Sequence, residues 1–269
     1  MVFLLVAACA VTSPEFKNRL GQDEQLVSIP TSRGVTVRIL LKTPEAGSNG
    51  TFLYFPGSEG HLVNSQGRPR WGYTRVFPEF SFVVGVVDMP SDRPGGAWAG
   101  DRFRTSRAHL DDAKSIIEFV HRNWAKPIFL IGHSAGTTSV AHIAASLEDK
   151  RIAGVVFTGA PSLLAKLPLH EITYPTLFVH HREDTCASFD MALQQYQRLI
   201  KSSRPGFIEV RGGDPSRGAQ CRRPDPAAAP ADPARRKDYT HGFAGKEREV
   251  VASISDWAVG KPAPNRIEP

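Results

Sequence analysis

The sequence predicts an α/β fold: a mostly parallel, doubly wound sheet with helices on both faces, an N-terminal antiparallel hairpin and no large cap domain. Three observations lead there. Short continuous apolar runs recur along the chain, segments with helical spacing separate them, and a turn-linked pair of β-rich runs precedes them all.

The hairpin is read from "QLVSIPTSRGVTVRILLKTP", where two β-rich runs flank a Ser-Arg-Gly turn. After a Gly/Ser/Asn turn come "TFLYF", "FSFVVGVV", "KPIFLIG", "RIAGVVF", "TLFVHH" and "PGFIEV", continuous apolar stretches suited to parallel strands buried on both faces. Helical spacing joins Ala113, Ile116, Ile117, Val120 and Trp124 on one face, and Val140, Ile143, Ala144 and Leu147 on another. The same spacing recurs in Phe189, Ala192, Leu193, Tyr196, Leu199 and Ile200, and in the last helix, Val250, Val251, Ile254, Trp257 and Ala258. A hairpin followed by repeated strand–helix units implies a mostly parallel sheet with helices on both faces.

The 269 residues suit one such domain, expected over 25–260, with 261–269 as a C-terminal tail. A 41% hydrophobic and 22% charged composition is that of a folded globular chain and excludes a disordered one. Much of the net charge of +6 comes from Arg217, Arg222, Arg223, Arg235, Arg236 and Lys237, in a Pro/Ala-rich segment. Without interleaved aromatics or a nucleic-acid motif, that segment reads as a solvated loop, and no nucleic-acid partner is expected.

Residues 1–24 are expected to be a leader and linker. "MVFLLVAACAVTS" is too short to span a bilayer but suits a secretory apolar region, and Val6-Ala7-Ala8-Cys9 resembles a bacterial lipobox. That resemblance implies lipidation of Cys9, membrane attachment through it and a place in the cell envelope or periplasm, although nothing basic precedes the apolar run. Of the three cysteines, Cys186 and Cys221 would remain, free to pair in an oxidising compartment; buried free thiols are the alternative.

Chemistry concentrates at "IFLIGHSAGTTSV", residues 128–140, where an apolar strand runs through Gly-His-Ser-Ala-Gly into a helix. A sharp strand-to-helix turn between glycines exposes the oxygen of Ser134. In this context the chain resembles the α/β-hydrolase superfamily, whose chain order is nucleophile, acid, histidine. "TLFVHHREDTC" supplies Asp184, at the exit-loop position where the superfamily's aspartate stands, with Glu183 as fallback; "DYTHGFAGKEREVV" supplies His241 before the last helix. Singly, Asp184 could be a turn former and His241 a helix cap; their order after Ser134 makes them candidates for the triad's acid and base.

An oxyanion site is expected from the backbone N–H of Ala135 and from the loop "PGSEGH", with Ser58 as donor and Gly57 as second choice. That loop resembles the superfamily's His-Gly loop, with Pro56 in place of the first histidine. "VVDMPSDR", "VHHREDTC", "GGDPSRGAQC" and "HGFAG" further resemble a group of bacterial hydrolases of dienelactone-hydrolase type, in which the two late cysteines recur. No metal and no cofactor is expected: His180 and His181 are adjacent on a strand, point to opposite faces, and cannot chelate one ion together.

The expected activity is hydrolysis of carboxylic esters or related acyl bonds on a small-molecule substrate, through an acyl-enzyme. The loop "DMPSDRPGGAWAGDRF" offers Arg93 and Trp98, with Arg102, as candidates to line the substrate site, unless Asp92 and Arg93 simply brace the loop. A non-catalytic envelope-binding protein on the same fold is the alternative.

Overall fold

The computed structural model describes residues 20–58, 60–63, 68–93, 100–214, 216–217 and 240–269. The chain opens with the hairpin of β1 (Glu24–Pro30) and β2 (Thr36–Lys42), paired antiparallel. Arg33, in its turn, reaches the carboxylate of buried Asp112 at 2.8 Å and so ties the hairpin to a helix behind the sheet. Next come β3 (Thr51–Phe55), a 3-10 segment (Gly72–Phe80) and β4 (Val83–Val87), followed by helices α1 (Gly100–Arg104) and α2 (Arg107–Trp124).

The second half alternates strand and helix: β5 (Ile128–His133), α3 (Gly136–Ser146), β6 (Ile152–Thr158), β7 (Thr176–His181), α4 (Phe189–Tyr196), β8 (Pro205–Val210), α5 (Glu247–Ala258) and β9 (Arg266–Ile267). Two helices begin on serine caps: Ser106 accepts the N–H of His109, and Ser188 that of Met191.

One nine-stranded sheet results, in the order β1-β2-β4-β3-β5-β6-β7-β8-β9. All pairs from β4 onward in that order are parallel, and the first two are antiparallel. The expected eight strands are therefore present, and a ninth joins them: Arg266 and Ile267, in the stretch expected to be a tail, pair with Glu209 and Val210 of β8. Between β6 and β7 the described chain forms only two short 3-10 turns, Ser162–Lys166 and Leu169–Glu171, rather than a cap.

Strand side chains alternate between two apolar layers. Ile128 and Leu130 of β5 join Leu53, Val155, Phe157 and Phe178 under α2, α3 and α4. Phe129 and Ile131 face the other way, with Phe52, Val156 and Leu177, under Phe77 of the 3-10 segment and Val250, Ile254 and Trp257 of α5. Continuous apolar runs follow directly, because each strand must satisfy both layers.

Helix α3 lies so close to the end of β3 that a Cβ on Gly136 would come within 1.9 Å of the Phe55 carbonyl oxygen. Backbone on both sides leaves nothing flexible to yield. Gly136→Ala is expected to destabilise the fold by about 3 kcal/mol or more, the range of severe overpacking, seen as a lower urea midpoint.

Candidate active site

The parallel strands point their carboxyl ends to one edge of the sheet, and the loops there carry the expected residues. β5 ends at His133, and the next residue, Ser134, has a left-handed φ of 52°. A non-glycine residue takes that conformation only where its surroundings hold it. Here the Ser134 N–H donates to the Thr158 carbonyl at 2.9 Å, while its own carbonyl accepts from the Thr137 N–H at 2.9 Å and the Thr137 hydroxyl at 2.7 Å.

Both flanking glycines are required by space. A Cβ on Gly132 would stand 2.6 Å from the Gly136 carbonyl oxygen, and Gly136 is already pressed on β3. The turn is thus closed by backbone packed on backbone, with Ser134 at its apex.

β7 delivers the acid. In its exit loop Asp184 is 4% exposed and its two carboxylate oxygens are divided between partners. Oδ1 accepts the N–H groups of Cys186 at 2.8 Å and Ala187 at 3.0 Å, which fixes the plane of the carboxylate. Oδ2 faces Nδ1 of His241 at 2.7 Å, a hydrogen bond that leaves Nε2 as the outward nitrogen. Burial opposes ionisation of Asp184, but the adjacent His241 charge and hydrogen bond prevail and lower its pKa to about 2. Glu183 beside it is exposed, so Asp184 is the carboxylate that meets the histidine.

His241 sits in the turn before α5, where the Phe243 N–H closes on the Thr240 carbonyl at 3.3 Å and Phe243 takes a φ of 58°. Its ring packs over Gly159, where a Cβ would lie 2.8 Å from its Cε1, and rests 4.7 Å from the His133 ring. The imidazole is thereby brought against the elbow that presents Ser134. Among the described residues the Ser134 hydroxyl has no hydrogen-bond partner.

The loop after β3 covers the serine. A Cβ on Gly57 would stand 2.8 Å from Ser134 Cβ and 3.4 Å from its Oγ, and Ser58, like Ser134, has a φ of 52°. Gly60 donates its N–H to the Gly57 carbonyl at 3.1 Å. The N–H groups of Ser58 and Ala135 have no acceptor among the described residues, so both are available to a ligand.

Arg93 is exposed, with its guanidinium 5.3 Å above the Phe103 ring, and Asp92 accepts from the Arg33 guanidinium at 3.2 Å. Cys9, Trp98 and Cys221 lie outside the described residues. His180 and His181 bond the carbonyls of Ala187 and Gly212 respectively. The one group of metal-type ligands among the described residues is Asp184, Cys186 and His241, whose facing carboxylate and imidazole atoms already bond each other.

Two participants carry no motif in the sequence. His133 bonds Thr158 Oγ1 at 3.1 Å and underlies His241; buried Arg104 grips the loop after β3. In sequence His133 stands at the variable position of Gly-His-Ser-Ala-Gly and, beside His180 and His181, suggests at most a zinc ligand, while Arg104 reads only as one more basic residue.

No family model and no curated protein sequence matches the chain. Solved structures do resemble it. Est1E from Butyrivibrio proteoclasticus aligns over 87% of this chain and 97% of its own with a TM-score of 0.57 at 12% identity. An α/β serine hydrolase without a lid from Xanthomonas campestris aligns over 89% and 95% with a TM-score of 0.56 at 13% identity. An esterase of Pyrococcus furiosus aligns over 75% and 86% with a TM-score of 0.54 at 16% identity.

Two histidines withdrawn from water, His109 fully and His133 in part, are expected to make stability depend on pH. Burial lowers the pKa of His109 from 6.5 to about 3, and it does the same to His133. Between those values the unfolded chain binds more protons than the folded one, so stability falls as pH is lowered through that window. For His109 alone the expected slope is about 1 kcal/mol per pH unit between pH 6 and 4, measured by urea unfolding. His109→Leu, which also removes an Nε2 left without a partner among the described residues, should flatten that slope; an unchanged slope would show that His109 is not held neutral.

With its sheet order, its elbow and these neighbours in agreement, the chain has the α/β-hydrolase fold.

Proposed function

We propose that the protein is a serine hydrolase that cleaves carboxylic esters of small molecules through an acyl-enzyme. The observation that carries this reading is the 2.7 Å bond from His241 Nδ1 to buried, ionised Asp184, beside a serine held at a φ of 52°. Esterases and serine hydrolases among the structural neighbours are consistent with it.

In this reading Asp184 fixes the imidazole with Nε2 outward, and Nε2 takes the Ser134 proton as Oγ attacks the ester carbonyl. Charge on the carbonyl oxygen is met by the N–H groups of Ala135, at the positive end of α3, and of Ser58. His241 then protonates the leaving alcohol, and finally activates the water that releases the acid. The connector between β6 and β7 is too short for a cap, and an open site on this reading favours accessible esters over deeply enclosed ones.

We also read residues 1–24 as a lipoprotein-type leader and linker in which Cys9 becomes the lipidated first residue, and Cys186 as paired with Cys221. Its support is the lipobox-like sequence and the even number of remaining cysteines.

A fluorescent fluorophosphonate is expected to label the wild type, not Ser134→Ala, and His241→Ala only weakly. Ester turnover should drop about 10⁴-fold or more in both variants, and by about that factor in Asp184→Asn. Absence of labelling in folded wild type would overturn the reading in favour of a binding protein. Gly57→Ala makes a separate prediction: its Cβ meets Ser134 Cβ at 2.8 Å, so turnover should fall about 10²-fold while the protein stays folded by circular dichroism.

A further inference from the structure

Arg104, at the end of α1, is buried at 2% exposure. A guanidinium removed from water needs acceptors for its donors. It finds them in two places that the catalytic reading must hold together. Nη2 donates to the Pro56 carbonyl at 2.9 Å and the Ser58 carbonyl at 3.3 Å, in the loop over Ser134; Nη1 donates to Ser139 Oγ at 2.8 Å, on α3. Gly60 completes the fit, since a Cβ there would lie 2.6 Å from Nη2.

The consequence lies in peptide geometry. In a trans peptide the C=O and the following N–H point in opposite directions. Turning the Pro56 carbonyl to Arg104 therefore turns the Gly57 N–H away from it, and the bond from Gly60 N–H to the Gly57 carbonyl sets the Ser58 N–H in the same manner. Arg104 thus holds the carbonyls of Pro56 and Ser58, on either side of the peptide plane that carries the Ser58 N–H, while Gly60 holds that plane itself. A planar fork is suited to this, because two carbonyls and a hydroxyl can be met at once.

We propose that Arg104 is a positioning residue for the oxyanion site: it staples the Pro56–Ser58 backbone to α3, so that the Ser58 N–H stays aimed at the oxygen of a substrate attacked by Ser134. The proposal rests on the reading of Ser134 as nucleophile. Arg104 touches neither substrate nor reacting atoms; it acts through the loop.

The test compares wild type with Arg104→Lys, Arg104→Gln and Ser139→Ala, using p-nitrophenyl acetate turnover, the inhibition constant of an aryl trifluoromethyl ketone, and thermal unfolding. The ketone adds to serine and places a negative oxygen in the oxyanion site, so its affinity reports that site directly. In Arg104→Gln, kcat should fall about 10²-fold with KM within about threefold, and ketone affinity should fall in proportion. Arg104→Lys should recover part of both losses, and Ser139→Ala should show a smaller loss of the same kind.

Unchanged kcat in a folded Arg104→Gln protein, or a kcat loss with ketone affinity unchanged, would overturn the proposal. Should Arg104→Gln fail to fold, Arg104→Lys and Ser139→Ala decide it by the same criterion. Fluorophosphonate labelling of the wild type keeps the two readings apart: an unlabelled wild type defeats the nucleophile itself, whereas a labelled wild type with indifferent Arg104 variants defeats only the clamp.

Discussion

Gly136 brings its Cα against the carbonyl of Phe55, so closely that no Cβ fits between the start of α3 and the end of β3. From that contact follow the other distances at the site. It sets how far the elbow stands from the neighbouring strand, hence how the loop after β3 passes over Ser134, and hence where Gly57 and Ser58 place their N–H groups. Gly132 meets Gly136 from the other side, so the elbow is packed backbone to backbone and its strained serine has no room to relax. The sheet supplies the frame, but it is this pair of glycines that converts a strand end into a site.

Electrostatics at the same edge depends on unequal burial. Asp184 is nearly sealed from water yet remains charged, because His241 and two backbone N–H groups meet its oxygens. His133 and His180 are close by but have their pKa values lowered by burial, His133 to about 3. Among these groups it is Asp184 that carries charge, directed at Nδ1 of His241. His133 nevertheless matters sterically, as the ring on which His241 rests.

Much of this was legible in the chain. The apolar runs of β3 to β8 had to satisfy two layers and so appeared as continuous stretches, and the Ser-Arg-Gly turn marked the hairpin. Ser134, Asp184 and His241 could be chosen because their chemistry and chain order constrain one another; the choice of Asp184 over Glu183 is matched by burial of one and exposure of the other. What escaped has physical causes. β9 is two residues long and carries no periodicity, so only its pairing with β8 reveals it. Arg104 looks like any arginine in a basic protein until its surroundings are seen, because burial of a long cation depends on distant carbonyls rather than on its own neighbours in sequence. The 3-10 segment over residues 72–80 carries Pro78 and lies between strands where no helical stripe was expected.

The most direct measurement is a diffraction structure of the protein after reaction with a fluorophosphonate. This account predicts phosphorus bonded to Ser134 Oγ, with the phosphoryl oxygen about 2.7–3.1 Å from the amide nitrogens of Ala135 and Ser58, and His241 Nε2 facing the leaving-group side. A protein recovered with Ser134 unmodified, or an adduct whose phosphoryl oxygen points away from those two amides, would contradict it.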